Sequence, residues 1–283
     1  TCHLDAMLKY ILILSSPEIN ELEPSGHLDF YPNGGRRPHG CSHPLGEHHS
    51  HHDIGCEIVP SWQLYIESIN TDCPFFGYVC DNFRNFSAAK CVDGCGDGSL
   101  CAPLGHRANE WQQYKKAESV KMYLFAGHST PACRYHYYVK AQVSESNDAD
   151  DEDFKARPPQ GLMFIQLTGS KKHIGPLQAR KSNQKDVECL VSSKDLGSII
   201  RTDVKWQPGH SPPFDYNFFG PNEFGVPYPP RPFIPKPPAL RVERFEVTNL
   251  ENGISEQFCA IGKPILYPNQ VKPFFKGGEC AQP

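Results

Sequence analysis

Twelve cysteines punctuate this 283-residue chain, and four of them, Cys80, Cys91, Cys95 and Cys101, crowd into one stretch rich in glycine and aspartate. Cysteines this close restrict the segment to loops stapled at short range. A zinc site would need a similar set of thiolates, but no Cys-x-x-Cys pair occurs among these four. Two short cystine loops, Cys80–Cys91 and Cys95–Cys101, are the expected arrangement. Cys41 and Cys56 are placed to close a further loop. An even and high cysteine count favours an oxidising compartment, and Asn85-Phe86-Ser87 is an acceptor pattern for N-glycosylation.

The rest of the composition agrees with a loop-rich fold. Hydrophobic residues make up 39% and charged residues 21%, enough for a core, while 27 prolines and 23 glycines favour turns and short strands over long helices. A net charge of −4 argues against general nucleic-acid binding. The apolar run Tyr10–Leu14 is far below the ~20 residues that span a bilayer. It also lacks the layout of a signal sequence. Thr1 is not a natural start residue, so a mature or truncated chain is expected.

In chain order, Met7–Leu14 reads as a short strand or one helix turn, with strand the better fit. Leu28-Asp29-Phe30-Tyr31 is a second strand of alternating character, stopped by Pro32-Asn33-Gly34-Gly35, where Pro cannot donate to a ladder and Asn and Gly accept positive φ. The loop from Cys41 to Cys56 holds His48, His49, His51, His52 and Asp53. These are candidate metal ligands or a pH-responsive set, although a solvated loop is the simpler reading. From Cys56 to Asn70 the spacing of Trp62, Tyr65, Ile66 and Ile69 predicts a helix with that apolar face inward and Gln63 and Glu67 on the wet side. A polar linker, 109–119, precedes short strands at 121–125, 135–143, 161–167, 197–200, 203–206 and 241–247, the pattern of a β-sandwich. The acidic run Glu145–Asp153 offers oxygens to calcium or simply to water. Pro208–Pro238 is proline-dense and carries Phe214, Phe218, Phe219 and Phe224, which suit either a half-wet lipid boundary or an apolar flap.

The run Gly26-His27-Leu28-Asp29-Phe30-Tyr31-Pro32-Asn33-Gly34-Gly35 before Cys41 resembles the animal pancreatic lipase family, in the part that follows the catalytic aspartate strand. So does Cys56 with Tyr65-Ile66-Glu67-Ser68-Ile69, and so does Gly105-His106 after two small cystine loops. Tyr123–Gly127, Leu162–Gly169 and Cys259 with Cys280 resemble that family's C-terminal sandwich, with Tyr123–Gly127 as its first strand. The resemblance implies an α+β chain: an incomplete C-terminal part of an α/β-hydrolase domain (1–117, with a short lid-like loop 41–56), followed by an antiparallel PLAT-type β-sandwich (118–283). It implies cystines Cys41–Cys56 and Cys259–Cys280. Cys133 and Cys189 are left in the sandwich and open to pairing, Cys2 and Cys73 in the other part.

The family activity is hydrolysis of lipid carboxylic esters through a Ser-His-Asp relay. No Gly-x-Ser-x-Gly occurs here. The family's histidine position falls on Ile58, a hydrocarbon that accepts no proton. His51 or His52 would approach only if the loop repacked, and His106 is expected to be structural. No catalytic residue, cofactor or metal is therefore expected. The expected setting is extracellular, with a lipid interface or lipoprotein surface as partner through Phe214, Phe218, Phe219 and Phe224, or a protein partner through the sandwich. Three readings compete: a C-terminal portion of a secreted lipase or phospholipase, a non-catalytic lipid- or protein-binding relative, and a cysteine-rich structural protein.

Overall fold

The computed structural model describes residues 12–13, 26–35, 59, 61–92, 98–113, 119–145, 161–181, 186–208 and 239–277. These are mostly β-strand, with two short α-helices among the described residues. The chain divides into two compact units. One holds 1–139, 188–197 and 246–256; the other holds 140–187, 198–245 and 257–283.

The first unit is built on a five-stranded sheet of order β1-β2-β5-β3-β4. Its strands are β1 (Leu12–Ile13), β2 (Leu28–Pro32), β3 (Phe76–Val79), β4 (Cys101–Pro103) and β5 (Val120–Leu124). β2 runs parallel to β1 and to β5, with Leu28 opposite Val120 and Pro32 opposite Leu124. β3 is antiparallel to both β5 and β4. A strand covered on both faces reads as a continuous buried run. Leu28, Asp29, Phe30 and Tyr31 are all buried, which corrects the expected half-wet alternation of β2. Leu28 and Phe30 enter one core with Leu64, Phe75 and Met122. Tyr31 enters another with Tyr78, Phe86 and Tyr123.

Three residues end β2 in left-handed backbone. Asn33, Gly34 and Gly35 take φ of 53°, 79° and 68°, the left-handed region that Asn and Gly tolerate. The Asn33 side chain pairs with both backbone groups of one residue: Nδ2 donates to Ala126 O and Oδ1 accepts from Ala126 N, both at 3.1 Å. A Cβ on Gly34 would lie 2.8 Å from the Phe83 ring. Phe83 opens the short helix α2 (Phe83–Ser87), which is capped by the Asn82 side chain accepting from Asn85 N.

Helix α1 (Ser61–Asn70) forms as its periodicity predicts, but the expected inward face is reversed. Leu64 and Ser68 are its buried residues, whereas Trp62, Tyr65, Ile66 and Ile69 are exposed. Polar bonds set this orientation. Ser68 Oγ donates to Tyr65 O at 2.6 Å and accepts from His106 N at 3.1 Å. Glu67, expected on the wet side, accepts from Ala132 N and Cys133 N, both at 2.8 Å. Gly105, which opens the 3-10 helix Gly105–Glu110, has φ +81°, and a Cβ there would fall 2.0 Å from Ser68 Oγ.

The expected cystine Cys80–Cys91 is present. Cys133, expected to be open to Cys189, pairs instead with Cys73, and Cys189 is a free thiol. Glu67 explains the choice, because its carboxylate draws the Ala132-Cys133 backbone to the helix just before Cys73. Cys101 and Cys259 are also disulfide-bonded; their expected partners, Cys95 and Cys280, lie outside the described residues, as do Cys41 and Cys56.

Nine antiparallel-type strands follow, in the order β12-β14-β10-β7-β8-β9-β6-β11-β13, with β12 also paired to β11. They are β6 (Tyr135–Glu145), β7 (Gly161–Gly169), β8 (His173–Lys181), β9 (Asp186–Ser193), β10 (Ile199–Pro208), β11 (Leu240–Asn249), β12 (Ile254–Ala260), β13 (Ile265–Leu266) and β14 (Val271–Lys276). The order nearly closes on itself, which is a β-sandwich solution to exposed edges. The strands expected at 197–200 and 203–206 are one strand, β10. Ile199 pairs with Gly169 and Arg201 with Thr168, so Ile200 is a one-residue bulge. The bulge switches the buried phase from Ile199 to Thr202, Val204 and Trp206. β5, expected as the first sandwich strand, lies in the five-stranded sheet instead, because Val120 to Leu124 pair along the whole of β2.

Gly105→Ala places a methyl group on the Ser68 hydroxyl and forces a left-handed backbone. It is expected to lower stability by about 1–3 kcal/mol, read as a lower urea midpoint with unchanged slope. An equal midpoint would show that α1 is not seated as described.

Candidate functional site

The polar centre of the first unit joins three elements: Tyr78 on β3, His136 at the start of β6, and Glu251 in the turn after β11. The turn is made locally. Asn249 Oδ1 accepts from Glu251 N, and Gly253, at φ 69°, donates its N–H to Asn249 O. Leu250 N then donates to His136 O at 3.0 Å, which presents Glu251 to the histidine.

A single carboxylate oxygen gathers three donors. Glu251 Oε1 accepts from His136 N at 2.7 Å, from His136 Nδ1 at 3.0 Å and from Tyr78 OH at 3.2 Å. His136 Nε2 accepts from Phe125 N at 3.1 Å. An imidazole nitrogen that accepts carries no proton, so the network assigns a neutral ring with its proton on Nδ1. The side chains of His136 and Glu251 are 0% and 3% exposed. Tyr78, Phe86 and Phe125 surround the imidazole, with ring centroids 5.1, 6.0 and 6.1 Å away. Glu251 Oε2 is buried without a hydrogen-bond partner. Burial, then the charge of Glu251 and its hydrogen bond, push the Tyr78 phenol well above its ordinary range.

This is a histidine–carboxylate pair, but its chemistry is structural. A hydrolytic relay needs the far imidazole nitrogen to face a nucleophilic hydroxyl. Here that nitrogen is held by the Phe125 amide, and the nearby hydroxyl, that of Tyr78, points at Glu251 instead. The full burial of the ring also leaves no approach for a substrate.

The sequence-derived candidates are dispersed. Phe214, Phe218, Phe219 and Phe224 lie outside the described residues, as do Ile58, the histidines of the 41–56 loop and the acidic run 146–153. Asn85 is half-exposed on α2. His106 contributes its backbone N–H, and its side chain is exposed. Among the described residues no group of three or more His, Cys, Asp or Glu could hold a metal ion. No described helix is long and apolar enough to cross a membrane. His136 and Glu251 were missed because 115 positions separate them. The available signal was a histidine at a core position of the Tyr135–Val143 strand.

Removing the shared acceptor leaves three buried donors unpaired. Glu251→Ala is expected to cost about 3 kcal/mol or more, while Glu251→Gln, which keeps an acceptor oxygen, should cost less; denaturant unfolding measures both. A second expectation concerns alkaline pH. Burial raises the Cys189 thiol from 9.0 to about 12, and Tyr78 is raised above its ordinary 10.0. Both keep their protons in the folded chain while the unfolded chain loses them, so stability falls as pH rises from about 9 upward. Urea midpoints at pH 8 and pH 10.5 should differ, and the double variant Cys189→Ala, Tyr78→Phe should show a smaller difference.

Residues 20–132 match the Lipase family model. The chain is 31% identical over 139 residues to lipase member H of Oryctolagus cuniculus, covering 48% of this chain and 30% of that protein. It is 30% identical over 194 residues to the pancreatic triacylglycerol lipase of the same species, covering 64% and 39%. To the hepatic triacylglycerol lipase of Bos taurus it is 27% identical over 197 residues, covering 65% and 37%. A crystal structure of coral 8R-lipoxygenase shows a faint likeness, with TM-score 0.32 and 14% identity over 50% of this chain and 17% of that one. The chain spans about a third of the length of the curated relatives it matches. Over residues 20–132 the chain is similar in sequence to the Lipase family.

Proposed function

We propose that this chain is a secreted pancreatic-lipase-like protein whose family activity is hydrolysis of lipid carboxylic esters, and that the chain by itself is not catalytic. In this reading 1–117 is the later part of a lipase α/β-hydrolase domain and 118–283 a PLAT-type sandwich. Lipid is met through Phe214, Phe218, Phe219 and Phe224, and Asn85 carries a glycan. The observation that carries the reading is the lipase-family match over 20–132 in a chain with no Gly-x-Ser-x-Gly; the resemblance puts Ile58 at that family's histidine position. The buried His136–Glu251 pair supports it, because that imidazole is committed to backbone and carboxylate. Gly127-His128-Ser129-Thr130-Pro131 begins like an elbow but ends in proline, and Ser129 is exposed.

The second reading is a non-catalytic relative that binds lipid or a protein partner. It is favoured by the same missing nucleophile. Purified chain should show no turnover of a short-chain nitrophenyl ester above buffer. Turnover that survives purification and is abolished by a serine-directed organophosphate would overturn the non-catalytic reading. Treatment with a glycosidase that removes N-linked glycans should shift the mobility of chain made through a secretory route, and not that of Asn85→Gln.

A further inference from the structure

Two Asn-Gly pairs occur in the chain, Asn33-Gly34 and Asn252-Gly253. An asparagine followed by glycine can lose its side-chain amide without an enzyme. The glycine nitrogen, unshielded by a Cβ, attacks the asparagine Cγ and expels ammonia. Water then opens the resulting five-membered imide to aspartate or isoaspartate. The reaction needs the side-chain Cγ to reach the next peptide nitrogen, and water to reach the ring. The structure treats the two pairs differently on both counts.

Asn33 is held in place. Its Nδ2 and Oδ1 are both engaged by the backbone of Ala126. Asn33 and Gly34 are half-buried, with the Phe83 ring against Gly34. Attack there requires both side-chain bonds to break. Asn252 is the opposite case. With Gly253 it forms the exposed tip of the turn joining β11 to β12. Its Oδ1 accepts from Ile254 N at 2.9 Å, a bond that folds the side-chain carbonyl across the Gly253 peptide. Gly253 holds φ 69°, which favours a residue without a Cβ. The Gly253 N–H donates to Asn249 O and must leave that bond first, but opening costs little at an exposed turn tip.

We propose that Asn252 is a site of spontaneous deamidation, and that its isoaspartate product releases Glu251 from His136. Solvent base takes the Gly253 amide proton as the bond from Gly253 N to Asn252 Cγ forms. The bond from Cγ to Nδ2 breaks, and Nδ2 leaves as ammonia. One water then hydrolyses the imide, so water is the sole co-reactant. Hydrolysis at the main-chain carbonyl leaves the chain running through Cβ and Cγ, with one extra carbon between residues 252 and 253. That carbon breaks a turn closed by Gly253 N on Asn249 O and by Glu251 N on Asn249 Oδ1. Glu251 precedes the modified residue, and its Oε2 has no hydrogen-bond partner to retain it. The turn therefore acts as a clock on the buried joint, whatever the chain does with lipid.

The full folded chain is aged in mildly alkaline buffer made with oxygen-18 water, then digested and mapped by mass spectrometry in ordinary water. Only conversion during ageing then carries the heavy isotope. Label should accumulate at residue 252 at least about tenfold faster than at residue 33, because two hydrogen bonds hold the Asn33 side chain. Ageing in urea should erase that difference. An isoaspartate methyltransferase should methylate the 252 peptide of aged chain and not that of aged Asn252→Gln. The isoaspartate fraction should unfold at a lower urea midpoint than fresh chain, whereas Asn252→Asp, with the charge but no added carbon, should match fresh chain. Label at 252 that is absent, or no faster than at 33, overturns the site. A midpoint unchanged in the isoaspartate fraction overturns the release of Glu251, and so does a loss that Asn252→Asp reproduces in full. If Asn252→Gln fails to fold, the ratio between the two wild-type pairs still decides. Ester turnover enters none of these readings.

Discussion

One carboxylate oxygen organises the first unit. Glu251 Oε1 collects the His136 amide, the His136 imidazole and the Tyr78 phenol, and so ties β3, β6 and the turn after β11 at a single buried point. An unpaired carboxylate in that position would be costly to bury. Three donors offset that cost, and the chain adds a fourth bond by giving His136 Nε2 to the Phe125 amide. Phe125 directly follows β5, so the knot also fixes the end of the strand that pairs with β2. The aromatic rings packed around the imidazole keep water out, which strengthens each of these bonds.

From that point the rest of the unit follows by close approach. β2 stops where Asn33 pairs with the backbone N–H and C=O of Ala126 and Gly34 makes room for Phe83. α1 is seated by Ser68 against Gly105 and by Glu67 against the backbone at Cys133, which brings Cys133 to Cys73. That cystine spans 60 residues, and in the chain-entropy account a loop of this length restricts the unfolded chain by about 4 kcal/mol. The 11-residue Cys80–Cys91 loop restricts it by about 3 kcal/mol on the same account. Seating α1 by polar bonds leaves its apolar stripe unspent, which is why the stripe faces solvent.

Much of this was legible in the residues. Pro32-Asn33-Gly34-Gly35 announced a strand stop, and the structure puts three positive φ angles there. Cys80–Cys91 was readable because short spacing leaves few alternatives. The end of α1 at Asn70 was readable too, but not its inward face, since apolar periodicity assumes that burial is won by hydrocarbon. In α1 it is won by a serine and a glutamate that bond to distant backbone. The two halves of β10 looked separate because a bulge at Ile200 resets alternation and mimics a break. Cys73–Cys133 and His136–Glu251 join residues 60 and 115 positions apart, and nothing local in the sequence encodes such a pairing.

The His136–Glu251 pair is a sealed joint and not part of a relay. Nitrogen-15 spectra of the His136 imidazole in the intact chain at neutral pH test it most directly. The account predicts a ring protonated at Nδ1, a bare Nε2 coupled to the Phe125 amide proton, and slow exchange of the Nδ1 proton with water. A ring protonated at Nε2, or one whose Nε2 is in rapid contact with water, would contradict it.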